Sequence, residues 1–422
     1  MNGDPPRVLI VAEHASARFG GEAILPLHHF RFLRGRGVDA HLLVHERTRG
    51  ELQQALGDDH ARVHYVPDRL IHKLLWRLGR PLPDKLNEMT LAAAMHAVTQ
   101  RDQRRLARRL VRELSLDVVH EPIPVSPKAP SAMHGLGAPV VISPMNGGMR
   151  YPPAFRDRQP PLYRAVLAFG RWACGPLNRL TPGKPRAAVL LVANERTRDA
   201  LPLNLGRRAI VMVENGVDLA LWDAEKAPEP PEHRGGSAAG TLRVVFLGRL
   251  VALKAVDALL DAVAEARRSA DVRLTVIGDG PEKPALEAQA KLLRLGEAAT
   301  FTGFLPQAEC VAHLNRSDAL ALPSLHECGG AVVLEAMAMA RPVIATNWGG
   351  PADYLDADCG VLVEPDSRPA LVTGFARAMA DLAADPTRRR AMGDAGRRRV
   401  EERFDWNRKV DRMIEVYRGA MR

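Results

Sequence analysis

Short apolar runs punctuate this chain at residues 8–12, 38–44, 63–66, 117–120, 140–143, 189–193 and 210–213, each bounded by polar or turn-forming residues. Runs of that length read as buried strands rather than helices. Between them lie stretches of helical period. One opens just after Gly20-Gly21-Glu22 and reaches to about Gly35; another covers most of residues 69–114. The rhythm breaks at residues 223–240, a Pro-, Gly-, Glu- and Ala-rich segment that reads as a linker. It resumes with apolar runs at 242–247, 273–277, 342–345 and 360–363. Strands alternating with helices predict an α/β protein with parallel, doubly wound sheets. Such sheets bind ligands beyond the carboxyl ends of their strands. The expected division is a domain at residues 1–218, a linker at 219–241, a second domain at 242–403 and a last helical segment at 404–422.

Two helical faces stand out. Ile71, Leu74, Leu75 and Leu78 share one, and Leu106, Leu110 and Leu114 share another. The second is ringed by Arg101, Arg104, Arg105, Arg108, Arg109 and Arg112. Such a helix can lie on an anionic membrane or bury its leucines and expose its arginines. Because it runs straight into a strand, burial is the expectation. The formal net charge is +10. Residues 1–218 hold 32 Lys+Arg against 20 Asp+Glu, hence +12, and the remainder 27 against 29, hence −2. A basic first half fits a membrane surface or a lipid-linked phosphate, or is plain surface cover; no nucleic-acid partner is expected.

Other features narrow the class. The apolar run at 8–12 is too short for a signal sequence, and no stretch approaches the roughly 20 apolar residues of a membrane span. Cys174, Cys310, Cys328 and Cys359 show no CxxC spacing and read as reduced thiols. A cytoplasmic location is expected, with the inner membrane face as the place where a basic half would dock. No GxGxxG follows the first strand of either half, which disfavours a nicotinamide or flavin dinucleotide.

The richest chemistry lies between Pro323 and Tyr354. There Glu327, the small-residue run Gly329-Gly330-Ala331, a helix carrying Glu335 and ending near Ala340, a strand at 342–345 and the pair Gly349-Gly350 follow one another. A glycine loop opening a helix presents free backbone N–H groups and a helix dipole to an anion. Two carboxylates beside it would repel a bare phosphate, but suit a ligand that also carries hydroxyls, as a nucleotide sugar does. His120 ends a strand, where an acid/base or hydroxyl-binding role is open to it, as is a purely structural one. The proline-rich residues 121–130 read as a loop on the same side.

The pattern Glu327-x7-Glu335, preceded by Pro323-Ser324 and followed by Ala-Met-Ala, a strand and Gly349-Gly350, resembles the group 1 (family 4-like) retaining glycosyltransferases with the GT-B fold. Two further matches are Gly248-Arg249-Leu250 with Lys254, and Asn215-Gly216-Val217-Asp218 at the domain junction. The resemblance implies two Rossmann-like doubly wound domains facing a cleft, with the last helix crossing back to the first. It also implies transfer of a sugar, with retention, from a nucleotide diphosphate sugar to an acceptor hydroxyl on a glycan, a lipid-linked carrier or a small molecule.

By the same resemblance Glu327 approaches the donor sugar and Glu335 the ribose. Arg249, Lys254 and the amides of Gly329, Gly330 and Ala331 hold the diphosphate, and the Gly280 turn lies near the base. Gly20 and Gly21 let backbone approach the donor diphosphate and the acceptor. His120 and Asn146 stand on the acceptor side, with His120 grouped with Glu327, Arg249 and Lys254 as catalytic. The chain departs from the pattern where relatives carry a loop histidine, for it has Met145 and Asn146; asparagine can bond a hydroxyl but cannot take its proton. Ala255 replaces a usual glycine. Asp356-Ala357-Asp358 imitates a DxD metal motif but falls in a turn, so no metal or other cofactor is expected. Competing readings are a nucleotide-sugar epimerase and a non-catalytic nucleotide-sugar-binding protein.

Overall fold

The structure is a computed structural model that describes residues 5–17, 21–82, 86–87, 90–158, 161–224 and 240–422. Gly20 and most of the expected linker lie outside the described residues. The chain divides into two compact units: Met1–Gly148, Gln159–Glu214 and Asn407–Arg422 form the first, and Met149–Arg158 with Asn215–Trp406 the second.

The first unit is built on seven parallel strands: β1 (Val8–Val11), β2 (Ala40–His45), β3 (Val63–Val66), β4 (Val118–Glu121), β5 (Val140–Met145), β6 (Val189–Val192) and β7 (Ala209–Val211). Their order is β3-β2-β1-β4-β5-β6-β7. It reverses between β1 and β4, so the crevice at their carboxyl ends is the topological switch point. Helix α1 (Leu25–Gly35) follows β1. Helices α2 (Leu70–Gly79) and α3 (Leu91–Glu113) connect β3 to β4, and α4 (Pro161–Leu180) connects β5 to β6. Both connections run the same way along the sheet, opposite to the one carrying α1. Right-handed crossovers therefore place α2, α3 and α4 together on the face away from α1.

Helix α3 fulfils the burial expectation. Ala107, Leu110 and Val111 enter the core with Leu9, Val11 and Val119, while Arg101, Arg105, Arg108, Arg109 and Arg112 stay exposed. Burying Leu110 stabilises the unit by about 1.5–3 kcal/mol, while Leu106 and Leu114 of the same expected face pack against the core partly buried. Helix α2 behaves differently. It buries His72 and Gly79 but leaves Ile71 (40%), Leu74 (53%) and Leu78 (54%) exposed. A polar anchor fixes its orientation: the Arg69 N–H donates to His72 Nδ1 at 3.0 Å, and His72 Nε2 lies 3.3 Å from Thr99 Oγ1 on α3.

The second unit has six parallel strands: β8 (Thr241–Leu247), β9 (Asp271–Ile277), β10 (Ala299–Gly303), β11 (Ala319–Leu322), β12 (Val343–Thr346) and β13 (Gly360–Val363). Their order is β10-β9-β8-β11-β12-β13. The reversal lies between β8 and β11. Helix α5 (Val256–Ala266) follows β8 and α6 (Ala331–Ala338) follows β11. Helix α6 stops two residues before Ala340, which has φ +54°. The last helix, α7 (Trp406–Ala420), lies from Asn407 onward with the first unit. There Arg36 Nε donates to Asp411 Oδ1 at 2.7 Å.

Candidate functional site

In the second unit the loops after β8 and β11 flank the switch point, where a doubly wound sheet opens a crevice. Backbone contacts lock them. Leu250 N donates to Asp279 O (2.9 Å), Glu282 N to Leu250 O (3.1 Å) and Leu325 N to Leu253 O (2.9 Å). A Cβ on Gly280 would sit 2.3 Å from Leu250 O, so only glycine lets the β8 and β9 loops meet. On the other side Gly350 N donates to Glu327 O at 2.8 Å, and a Cβ at Gly350 would lie 2.0 Å from Gly329 O. The Gly349-Gly350 pair thus presses the Glu327–Gly329 backbone into place.

The charges follow from this frame. Lys254 Nζ donates to Glu327 Oε2, and Ser324 Oγ lies 3.4 Å from the same oxygen. Arg249 is exposed, and its guanidinium makes no hydrogen bond or ion pair among the described residues. Gly330 caps α6 at φ +84°, in the left-handed region that favours glycine. Beyond it Ala331 and Val332 start a helix whose first N–H groups have no helical partner. Glu335 is the one polar residue of α6, AVVLEAMA. It has no hydrogen-bond partner among the described residues, and burial pushes its carboxyl up to about 7. Nearby Cys310 is pushed up to about 11, by burial first and the Glu335 charge second. A half-buried carboxylate with no donor is an acceptor open to hydroxyls. Ala255 sits between Lys254 and α5 at φ +49°, the strained conformation a glycine would take freely.

Residues 149–158 border this site. Tyr151 lies with its ring 5.4 Å from His326, next to Glu327. Trp348 Nε1 donates to Arg150 O at 2.8 Å, and Met149 packs on Gly349. The sequence signal was the aromatic-basic composition; the contact partners, nearly 200 residues away, had none.

The first unit corrects two assignments. His120 is fully buried: Tyr417 OH lies 2.8 Å from its Nδ1, and its Nε2 donates to Ser143 O at 3.1 Å. Burial holds its pKa down at about 4. With both ring nitrogens used, it is a structural histidine under α7, not an acid/base group. Its strand-end position misled because alternation turns it toward α7, while Glu121 faces α3 and accepts from Gln100 Nε2 at 3.0 Å. Asn146 is also buried; its Nδ2 donates to Glu214 Oε1 at 2.6 Å, and Thr197 Oγ1 lies 3.4 Å from its Oδ1. Its amide is used inside the unit rather than presented to a sugar. Gly21 stays exposed with φ +56° at the start of a short 3-10 turn.

A pair the sequence did not single out stands at the carboxyl end of β1. His96 Nδ1 and Glu13 Oε2 are 2.5 Å apart, and the buried His96 Nε2 has no partner. Burial works against both charges. Their mutual bond outweighs it, holding Glu13 below and His96 above their ordinary values. His96 belongs to a polar stripe of α3, with Gln100 and Gln103, that meets the strand ends.

Among the described residues one group could gather three metal-donor atoms: His45, Asp68 and His72. Asp68 is already held by Arg47 (2.8 Å) and His72 by the Arg69 N–H. Asp356 of the DAD triplet binds Arg399 and accepts from Asp358 N at 3.2 Å.

Solved structures of low sequence identity share this fold across the chain. A glycosyltransferase from Rickettsia africae matches with TM-score 0.68 and 15% identity, covering 99% of both chains. Anabaena HepE in complex with UDP matches at 0.67 and 16%, covering 98% of this chain and all of that one. The architecture is GT-B: two Rossmann-like α/β units with parallel sheets. Residues 232–399, within the second unit, match the family model "Glycosyl transferases group 1". Among curated relatives, a glycogen synthase of Mycobacterium tuberculosis is 31% identical over 51% of this chain and 50% of its own length. A GDP-mannose-dependent alpha-(1-6)-phosphatidylinositol monomannoside mannosyltransferase of Mycolicibacterium smegmatis is 36% identical over 42% and 47%. The matched part spans about half the length of these curated relatives.

Proposed function

We propose that this protein is a retaining glycosyltransferase that moves a sugar from a nucleotide diphosphate sugar to an acceptor hydroxyl without a metal ion. The observation that carries the reading is the pairing, at one switch point, of an uncommitted guanidinium with a half-buried carboxylate that has no hydrogen-bond partner among the described residues: Arg249 after β8 and Glu335 on α6. A diphosphate needs the first and a ribose the second. Arg249 would grip phosphate oxygens in bidentate fashion and Lys254 as a point charge. Lys254 would leave Glu327 for the phosphate, freeing that carboxylate to meet the sugar hydroxyls. The α6 amides would add to the field that stabilises the departing diphosphate, commonly the largest catalytic contribution. That phosphate would assist the acceptor's proton loss, giving retention.

The names of relatives support the class but differ in donor. One is GDP-mannose-dependent, while Anabaena HepE was solved with UDP-glucose. The acceptor is proposed only as a hydroxyl of a glycan, a lipid-linked carrier or a small molecule, and the site of action as the cytoplasm. A thermal-shift screen over nucleotide diphosphate sugars, run in EDTA, tests the reading, since a ligand of the native state raises stability by mass action. One or more donors should raise the melting temperature; a flat response to all of them would refute the proposal.

A further inference from the structure

On the first unit, α2 and α4 both expose large apolar side chains. On α2 these are Leu70 (84%), Leu74 and Trp76 (54%); on α4 they are Phe169 (62%), Trp172 (71%) and Leu180 (80%). Single exposed leucines are ordinary, but two helices with exposed tryptophans on one sheet face are not. Charge is equally one-sided. Residues 69–83 contain four Lys/Arg and no Asp or Glu; residues 158–194 contain six and none, of which Lys184 is buried and Arg179 is exposed. Between the two helices on the same face, α3 exposes Arg101, Arg105 and Arg108. No described helix is long and apolar enough to cross a membrane.

We propose that this face docks on the surface of an anionic lipid bilayer. The arginines of α3 would meet the head groups, and Trp76 and Trp172 would enter the boundary between head groups and chains. Two physical arguments choose this occupant. A surface on which Lys and Arg outnumber Asp and Glu is complementary to an anionic one, each Lys/Arg near the surface adding roughly 1 kcal/mol. A nucleic acid would satisfy that charge equally, but gives no place to exposed leucine and phenylalanine, whereas an interface accepts them and favours tryptophan. The arginine helix alone, with its leucines in the core, has no apolar side left to insert. The flanking helices supply it.

The experiment uses the full chain without nucleotide sugar, so its outcome is independent of the proposed transfer. Protein is sedimented with phosphatidylcholine vesicles with and without phosphatidylglycerol, and tryptophan emission is read with brominated acyl chains as quencher. Binding should require phosphatidylglycerol and weaken with salt. Emission should shift to the blue and be quenched. The double variant Trp76→Asp/Trp172→Asp should bind at least tenfold more weakly with an unchanged melting temperature, because both side chains are exposed. Absence of binding at low salt overturns the proposal. So does undiminished binding of the double variant, which would mean attraction by charge alone. A dimer in light scattering that the same variant dissolves, with no vesicle binding, would assign the face to a second copy instead.

Discussion

Lys254 donates its Nζ to Glu327 Oε2 within the second unit, so the cation meant for phosphate and the carboxylate meant for sugar neutralise each other while no ligand is bound. The pair is mostly buried, with 16% and 15% of the two side chains exposed, so of the two cations expected on the diphosphate Arg249 is the one left uncommitted. Replacing Glu327 by Gln keeps the shape and removes the charge. Nucleoside diphosphate should then bind at least as well as before, because Lys254 is no longer held. Transfer should fall by about 10²–10³, the usual loss for removing one group that acts on the reacting centre. Parallel loss of nucleotide affinity in a calorimetric titration would place Glu327 on the nucleotide instead.

Glu335 should trade stability for binding. Its folded value, about 7, is raised above the ordinary 4.5, so the native state holds the proton more tightly and ionisation works against the fold. That penalty is absent below the unfolded value, grows as pH rises between the two, and is complete above the folded one. Glu335→Gln should therefore melt higher than the parent at about pH 8 and equal it at about pH 4. It should also bind donor more weakly by on the order of 1–3 kcal/mol. A variant no more stable at high pH would mean that the carboxyl is solvated.

Ala255 carries local strain beside Lys254. Its φ of +49° is one that an L side chain adopts at a penalty of about 1–2 kcal/mol. Ala255→Gly relieves it, less the backbone freedom glycine brings to the unfolded chain. A gain of about 0.5–1 kcal/mol is expected in urea unfolding; a loss would mean that the buried Cβ outweighs the strain.

Tyr417 and His120 should behave as structure. Tyr417→Phe leaves the fully buried His120 Nδ1 without its partner and should destabilise the first unit by about 1–3 kcal/mol. Donor affinity should not change. A change in affinity with stability intact would restore His120 to the site.

The sequence carried the fold further than the site. Most strand positions were legible because parallel strands buried on both faces are nearly continuous apolar runs, and their ends shifted by only a residue or two, as at Ala40–His45 and Val118–Glu121; β10 and β11, short runs beside the richer motif at 323–354, were missed. What the strand's position did not tell was the side on which each residue lies, His120 toward α7 and Glu121 toward α3. Arg249, Lys254, Glu327 and Glu335 were named through the family resemblance, and the structure sets them on the loops and helix around one switch point of the second unit. Their state was not legible: the Lys254–Glu327 bond joins side chains 73 residues apart, and the isolation of Glu335 depends on what packs around α6. Glu13 and His96, 83 residues apart, left no local signal. The outward turn of α2 was equally hidden, because apolar periodicity tells which residues share a face but not whether anything covers it.

The central claim is that Arg249, with no metal, holds the diphosphate of a nucleotide sugar. Calorimetric titration of GDP-mannose and UDP-glucose in EDTA, into the parent chain and into Arg249→Ala, tests it most directly. The account predicts that at least one donor binds the parent and binds the variant about tenfold or more weakly, the loss of a charge-assisted hydrogen bond to phosphate. Equal affinity for the variant, or binding that appears only when manganese replaces EDTA, would contradict it.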